Sequence, residues 1–244
     1  LDELREFPDG ITEFYDKQFE RLLGDSYADI TNASPTWRVI QAVIAACEPL
    51  HQKALEYLVE CTENERKRTV AKLSLLFPIR GGCLHVFHKS VKDWLVDKER
   101  EDEDCHVNLK KEHIFLGQQC KKVLETASEM DDAEEMREAS KYALKHGVTH
   151  LCAGGLSKHA RELMFRFEWL LERAKLGPPH ALVQDANRVA ERQTDRAFEL
   201  LHSALRLMQS GLATNPLQMA GQLVGRLVGY GDAATKFHEA EIEA

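Results

Sequence analysis

The 244-residue chain has no apolar run approaching the roughly 20 residues a membrane-spanning helix needs, so a membrane protein is not expected. Its first ten residues, LDELREFPDG, hold neither a basic stretch nor an apolar core, and so do not resemble a secretory signal. They begin with Leu rather than Met, and the chain reads as a fragment of a longer polypeptide. The six cysteines, at 47, 61, 83, 105, 120 and 152, form no C-x-x-C pair, so reduced thiols in a cytoplasmic protein are expected. No G-x-x-x-x-G-K-[ST] loop occurs; Gly81-Gly82 and Gly154-Gly155 lack the lysine and the spacing of a phosphate cradle. No acidic pair follows an apolar strand. His85, His88, His106 and His113 lie near cysteines without forming a nucleophile, base and orienter set, which disfavours a hydrolase. The formal net charge of -8 disfavours binding to a phosphate backbone.

What is present is helical periodicity. Ile11, Phe14, Tyr15, Gln18, Phe19 and Leu22 share one helical face, and Gly24 stands where a terminating glycine would. Ser34-Pro35 suits an N-cap and a first-turn proline, ahead of Trp37, Val39, Ile40, Val43 and Ile44. A second helix is expected from Pro49 through Leu50, Ala54, Leu55 and Leu58. Thr62 and Glu65 form a capping box for a third, with Val70, Leu73, Leu75 and Leu76 as its apolar face. Residues 77–80, Gly81-Gly82 and 83–87 then read as strand, turn, strand. Ser90 opens another helix, with Val91, Trp94 and Leu95 in the core. Three helices, a hairpin and a helix predict a winged-helix domain over 34–98. The charged run 98–104 has no apolar anchor and reads as a solvated helix end or linker. Further helices are expected over 107–127, 132–153, 156–175, 178–210 and 215–229. The fold class is therefore mainly α: a winged helix with a short β-hairpin wing, followed by an all-helical, bundle-like or solenoid-like region.

The stretch LHVFHKSVKDWLVD (84–97) carries the functional question. Strand alternation would put His88 on one face with Leu84 and Val86. Ser90-x-x-Asp93 reads most simply as a capping box. Cys83, His85, His88, Cys105 and His106 offer metal-ligand atoms. However, Cys83 and His88 fall on opposite strand faces and no pair has finger spacing, so no metal is assigned.

Phe87, His88, Ser90, Trp94 and Leu95, in FHKSVKDWLVD, resemble the end of the winged-helix domain in STAND-class NTPases, those with a NACHT or NB-ARC core. DGITEFYDKQFERLL resembles the helical segment between that core and the winged helix. YALKHGVTHLCAGG and ARELMFRFEWLLERAKLGPPHALVQD resemble the helical region beyond it. ALRLMQSGLATNPLQMAGQLVGRLVG resembles the lead-in to the propeller of NACHT–WD40 proteins. The resemblance implies a helical tail of the upstream module at 1–33, the winged helix at 34–98, a charged linker at 99–104, a helical connector at 105–229 and a tail at 230–244 toward a repeat domain. It implies that His88 contacts the β-phosphate of ADP in a closed, inactive state. It implies ADP or ATP with Mg²⁺ for the full-length parent and none held by this segment alone. The implied role is non-catalytic: relaying nucleotide state to a C-terminal repeat sensor in an innate-immunity-like signalling switch. The implied partners are the parent's own flanking domains, other proteins and an activation-dependent homo-oligomer.

Two rival readings stand beside it. One is a helical protein-binding scaffold. The other is a DNA-binding winged helix, with Asn64, Arg66, Lys67, Arg68 and Lys72 on its recognition helix, which Glu63, Glu65 and the acidic total disfavour.

Overall fold

The computed structural model describes residues 9–24, 34–101, 103, 105–126 and 133–227; the expected 230–244 tail lies outside this set. The protein is mainly helical, with twelve α-helices and three short strands among the described residues. The chain divides into two compact units, Leu1–Glu112 with Met130–Ala139, and His113–Glu129 with Ser140–Ala244. No helix among the described residues is long and apolar enough to cross a membrane.

In the first unit, α1 (Asp9–Leu23) buries Tyr15, Phe19, Leu22 and Leu23 and ends at Gly24, whose φ of 60° is the left-handed stop that glycine tolerates best. Phe14 lies on the exposed side. Helix α2 (Pro35–Ala45) starts on proline without a side-chain cap at Ser34, and buries Trp37, Val39, Ile40, Ala42 and Ile44. The chain then departs from the expected second helix. Leu50–His51 is strand β1, followed by a 3-10 turn at Gln52–Ala54 and a single helical turn, α3 (Leu55–Leu58). Helix α4 (Glu63–Leu73) has the expected capping box: Glu65 N–H donates to Thr62 Oγ1 at 3.3 Å, and Thr62 N–H to Glu65 Oε2 at 2.8 Å.

Helix α4 stops at Leu73, not at Leu76. Phe77 N–H bonds the Leu73 carbonyl, and Phe77 takes the core position while Leu75 turns outward. Strands β2 (Ile79–Arg80) and β3 (Cys83–Leu84) form the hairpin, and Arg80 pairs with Cys83 across a two-residue turn. Gly81 and Gly82 both have positive φ, 57° and 79°, as the primed hairpin turn requires. Strand β3 also pairs with β1, giving an antiparallel sheet of order β1-β3-β2. The expected strand through His88 ends at Leu84. Pro78 has no N–H, so the ladder survives only as single bonds, His85 N–H to Pro78 O and Phe87 N–H to Leu76 O. Helix α5 (Lys89–Leu95) follows, burying Val91, Trp94 and Leu95.

The second unit holds the parts of α6 (Leu109–Thr126) and α7 (Glu134–Ala153) that begin at His113 and Ser140. It also holds α8 (Ser157–Met164), α9 (Phe167–Leu176), α10 (Pro179–Ala190), α11 (Arg196–Thr214) and α12 (Met219–Leu227). The expected helix over 156–175 breaks at Phe165-Arg166. The one over 178–210 breaks before Asp195, which caps α11 by accepting from Phe198 N–H at 2.9 Å. The core of α8–α12 gathers Leu163, Trp169, Leu182, Phe198, Leu205 and Met208. Asp185 is buried between Arg173 and Arg188; burial pushes its carboxyl up to about 6 against the pull of both guanidinium groups.

Helices α6 and α7 pack closely because two crossing points are glycine. A Cβ on Gly154 would lie 2.9 Å from Ile114 N, and one on Gly117 3.1 Å from Leu151 N. Beside that crossing His150 is fully buried, 2.8 Å from both His113 Nδ1 and the Tyr142 hydroxyl. Burial, then the neighbouring His113 and His146, push it down to about 3.

The unfolded chain therefore takes up a proton at His150 near pH 6.5 that the folded chain refuses until about pH 3. This share of stability is complete above pH 6.5 and falls as pH drops toward 3, by about 1.4 kcal/mol per pH unit at its steepest. Urea midpoints measured from pH 7 to 4 should fall in the wild type and fall less in His150→Gln. An equal slope in both proteins would refute the assignment.

Candidate functional site

The site is built where α1 meets α5. Trp94 is buried, and its ring lies 5.5 Å from Tyr15 and 5.0 Å from Phe19, centroid to centroid. The Arg100 guanidinium covers the indole at 3.8 Å from its centroid. Its Nη2 reaches Asp16 on α1 at 3.0 Å, and its Nε donates to Glu103 at 2.8 Å. Arg100 belongs to the charged run expected to be solvated, yet only 7% of it is exposed. Its charge is buried because a π face and two carboxylates replace the water it gives up.

His88 is the N-cap of α5, the place expected for Ser90. Its Nδ1 accepts from the Ser90 backbone N–H at 3.2 Å and lies 2.6 Å from Ser90 Oγ. Ser90 Oγ in turn lies 2.6 Å from the Tyr15 hydroxyl. Asp93 does not close a capping box; it pairs with Lys89 at 3.3 Å, one turn back. A bare imidazole nitrogen can accept from a first-turn N–H as a serine oxygen does, so the S-x-x-D pattern places the cap two residues late.

The backbone bond sets the tautomer. An amide N–H can only donate, so Nδ1 presents its lone pair and the ring proton sits on Nε2. Nε2 has no hydrogen-bond partner among the described residues, and His88 is exposed. The result is a fixed N–H donor facing outward, chemistry suited to an anionic oxygen.

The other residues singled out from the sequence do not gather here. Among the described residues no group of three or more His, Cys, Asp or Glu side chains is arranged to hold a metal ion, and Cys83 points its thiol at the Gly81 carbonyl, 3.8 Å away. On α4, Arg66 is buried against Glu56 at 2.7 Å, and the exposed Lys67 pairs with the exposed Glu63 at 2.6 Å; Asn64, Arg68 and Lys72 are exposed as well. Tyr15, Asp16, Phe19, Arg100 and Glu103 belong to the site without being singled out for it by the sequence. Tyr15 was visible only as one member of an apolar stripe, and Arg100 as one charge among several.

No family model matches this chain, and no curated protein is significantly similar to it.

Arg100→Ala should remove the cation–π contact and leave Asp16 and Glu103 without their shared cation. We expect a loss of about 1–3 kcal/mol in chemical unfolding. Faster amide exchange in α1 than in α4 should accompany it. A loss under 0.5 kcal/mol with unchanged exchange in α1 would show that Arg100 does not hold the two helices together.

Proposed function

We propose that the protein is a non-catalytic regulatory region of a STAND-class NTPase. It would relay ADP or ATP state from a NACHT-type core to a C-terminal repeat sensor. In this reading residues 34–98 are a winged helix, 105–229 a helical connector, and His88 the residue that donates to a phosphate of bound ADP. The observation that carries it is the locked imidazole: Nδ1 is committed to Ser90, so Nε2–H faces outward as a donor. Helices α2–α4 followed by a hairpin whose second strand returns to pair with β1 support the winged-helix assignment. The motif order from α1 through the stretch before 229 supports the place in the parent protein.

The sequence has no phosphate loop, so the nucleotide and its Mg²⁺ would be held by the upstream core, with this region supplying one contact. The chain itself is then not an enzyme. Its partners are its own flanking domains and, after activation, further copies of the parent in the cytoplasm. Coupling would run through rigid-body rotation of the winged helix against the core.

The test uses the full-length parent. Its transcript should encode a phosphate loop upstream and repeats downstream. His88→Ala should release ADP faster and oligomerise without signal. A hydrogen bond of this kind is worth roughly 1.5–3 kcal/mol, which shifts a two-state equilibrium by roughly ten- to a hundred-fold. A transcript without the loop, or ADP retention unchanged in His88→Ala, would overturn the reading and favour a protein-binding scaffold.

A further inference from the structure

The hydroxyl of Tyr15 is placed where a phenyl ring would pack equally well. Tyr15 is 7% exposed, its ring rests on Trp94, and its oxygen lies 2.6 Å from Ser90 Oγ. The direction of each bond in this cluster follows from the backbone. Ser90 N–H donates to His88 Nδ1, so Nδ1 carries no proton. The Ser90 hydroxyl, 2.6 Å from the same nitrogen, can therefore only donate to it. A hydroxyl has one proton, and Ser90 has used it, so Tyr15 must donate to Ser90. The donors run one way: Tyr15 O–H to Ser90, Ser90 O–H to His88 Nδ1, and His88 Nε2–H outward. Chains ordered in this sense strengthen each member.

We propose that Tyr15 is a positioning residue for His88: its hydroxyl, donating through Ser90, lets the docking of α1 on α5 reinforce the hold that keeps His88 Nε2–H outward toward an anionic, phosphate-bearing ligand. The ligand class rests on the reading above; the relay rests on geometry alone. When α1 leaves α5, Ser90 Oγ loses the donor that polarises its own O–H. Its bond to Nδ1 weakens while the 3.2 Å backbone bond remains, and the two ring tautomers come closer in energy. Movement of α1 is thereby converted into a weaker, less directed donor at the surface.

The first experiment needs no nucleotide. Long-range proton–nitrogen correlation spectra of the whole chain report the His88 tautomer, with the resonance assigned by His88→Gln. The wild type should show Nε2 protonated and Nδ1 bare. Ser90→Ala should mix the tautomers, increasing the Nδ1–H fraction by about two- to tenfold, the range of one neutral hydrogen bond, and Tyr15→Phe should increase it in the same direction by less, because it only weakens the bond Ser90 donates. Ser90→Thr, which keeps a hydroxyl, should restore the wild-type spectrum. Amide exchange of α1 in Tyr15→Phe, which preserves the ring, separates loss of the relay from loss of docking. A wild-type His88 spectrum in Tyr15→Phe would overturn the proposal, as would mixing seen only where α1 has detached.

In the full-length parent, Tyr15→Phe should also speed ADP release, by less than His88→Ala does. If His88→Ala leaves ADP release unchanged while the spectra respond as expected, the phosphate reading fails and the relay stands. If His88→Ala speeds release and the Tyr15→Phe spectrum is wild type, the reverse holds.

Discussion

The packing of Trp94 is the contact on which the first unit's site depends. An indole removes about 200 Å² from water when buried, worth about 5 kcal/mol. Each hydrogen bond around it is worth about 1 kcal/mol. Packing therefore decides that α1 lies on α5, and the hydrogen bonds decide only how the two are oriented. Phe19 and Tyr15 supply two walls of the indole's enclosure, and Arg100 supplies the third. Once those walls are in place, Tyr15's hydroxyl falls beside Ser90 and Asp16 falls beside Arg100 without further adjustment. A polar relay of three side chains would not hold two helices together by itself. It can operate because an apolar contact has already fixed the distance.

How much of this could be read from residues depended on how local the cause was. The Thr62–Glu65 cap and the Gly81-Gly82 turn involve neighbours three or fewer apart, and both stand where the sequence puts them. Trp94 and Leu95 were legible as core because a large apolar pair on a short helix has few other uses. Leu75 and Leu76 fall beyond the end of α4 although the apolar periodicity runs through them, because the core position there goes to Phe77, which the sequence pattern assigns to a strand. Strand β1 was missed because Leu50–His51 is two residues long, and only its partner, Leu84, makes it a strand. The breaks at Phe165-Arg166 and before Asp195 carry no glycine or proline, so propensity gave no reason to place them. Arg100 was the least legible: its burial depends on Asp16 and Trp94, neither of which its own neighbourhood in the chain reveals.

Three histidines show how environment assigns roles that the residue type leaves open. His51 and His88 use the same local device, Nδ1 accepting from the backbone N–H two residues on. His51 is then closed in by the hairpin: a Cβ on Gly82 would come 2.5 Å from its Nε2, and the φ of 79° there favours glycine in its own right. His150 is enclosed completely, and its ring serves the α6–α7 crossing as an uncharged polar link. His88 alone of the three keeps an exposed ring. The candidate for a surface donor is thus selected by what surrounds each imidazole, whereas the sequence pattern around His88 pointed first to strand packing.

A single donor is a poor way to bind a nucleotide and a good way to bias a switch. Binding needs many contacts, because association must overcome the loss of translational and rotational freedom. Biasing needs only a difference between two states, and a ligand shifts a conformational equilibrium by no more than its differential affinity. If the phosphate is already held by another module, the contact from His88 adds no association cost and counts wholly toward the difference. That places a premium on direction. A freely turning imidazole offers its proton to water as readily as to a fixed oxygen, whereas one whose Nδ1 is tied to its own helix has already given up that freedom. The backbone bond to Ser90 restrains the ring whatever α1 does; the bond from Tyr15 makes the rest of the restraint depend on α1. A helix position thus becomes a chemical property of a side chain on another helix, which is what a relay between domains requires.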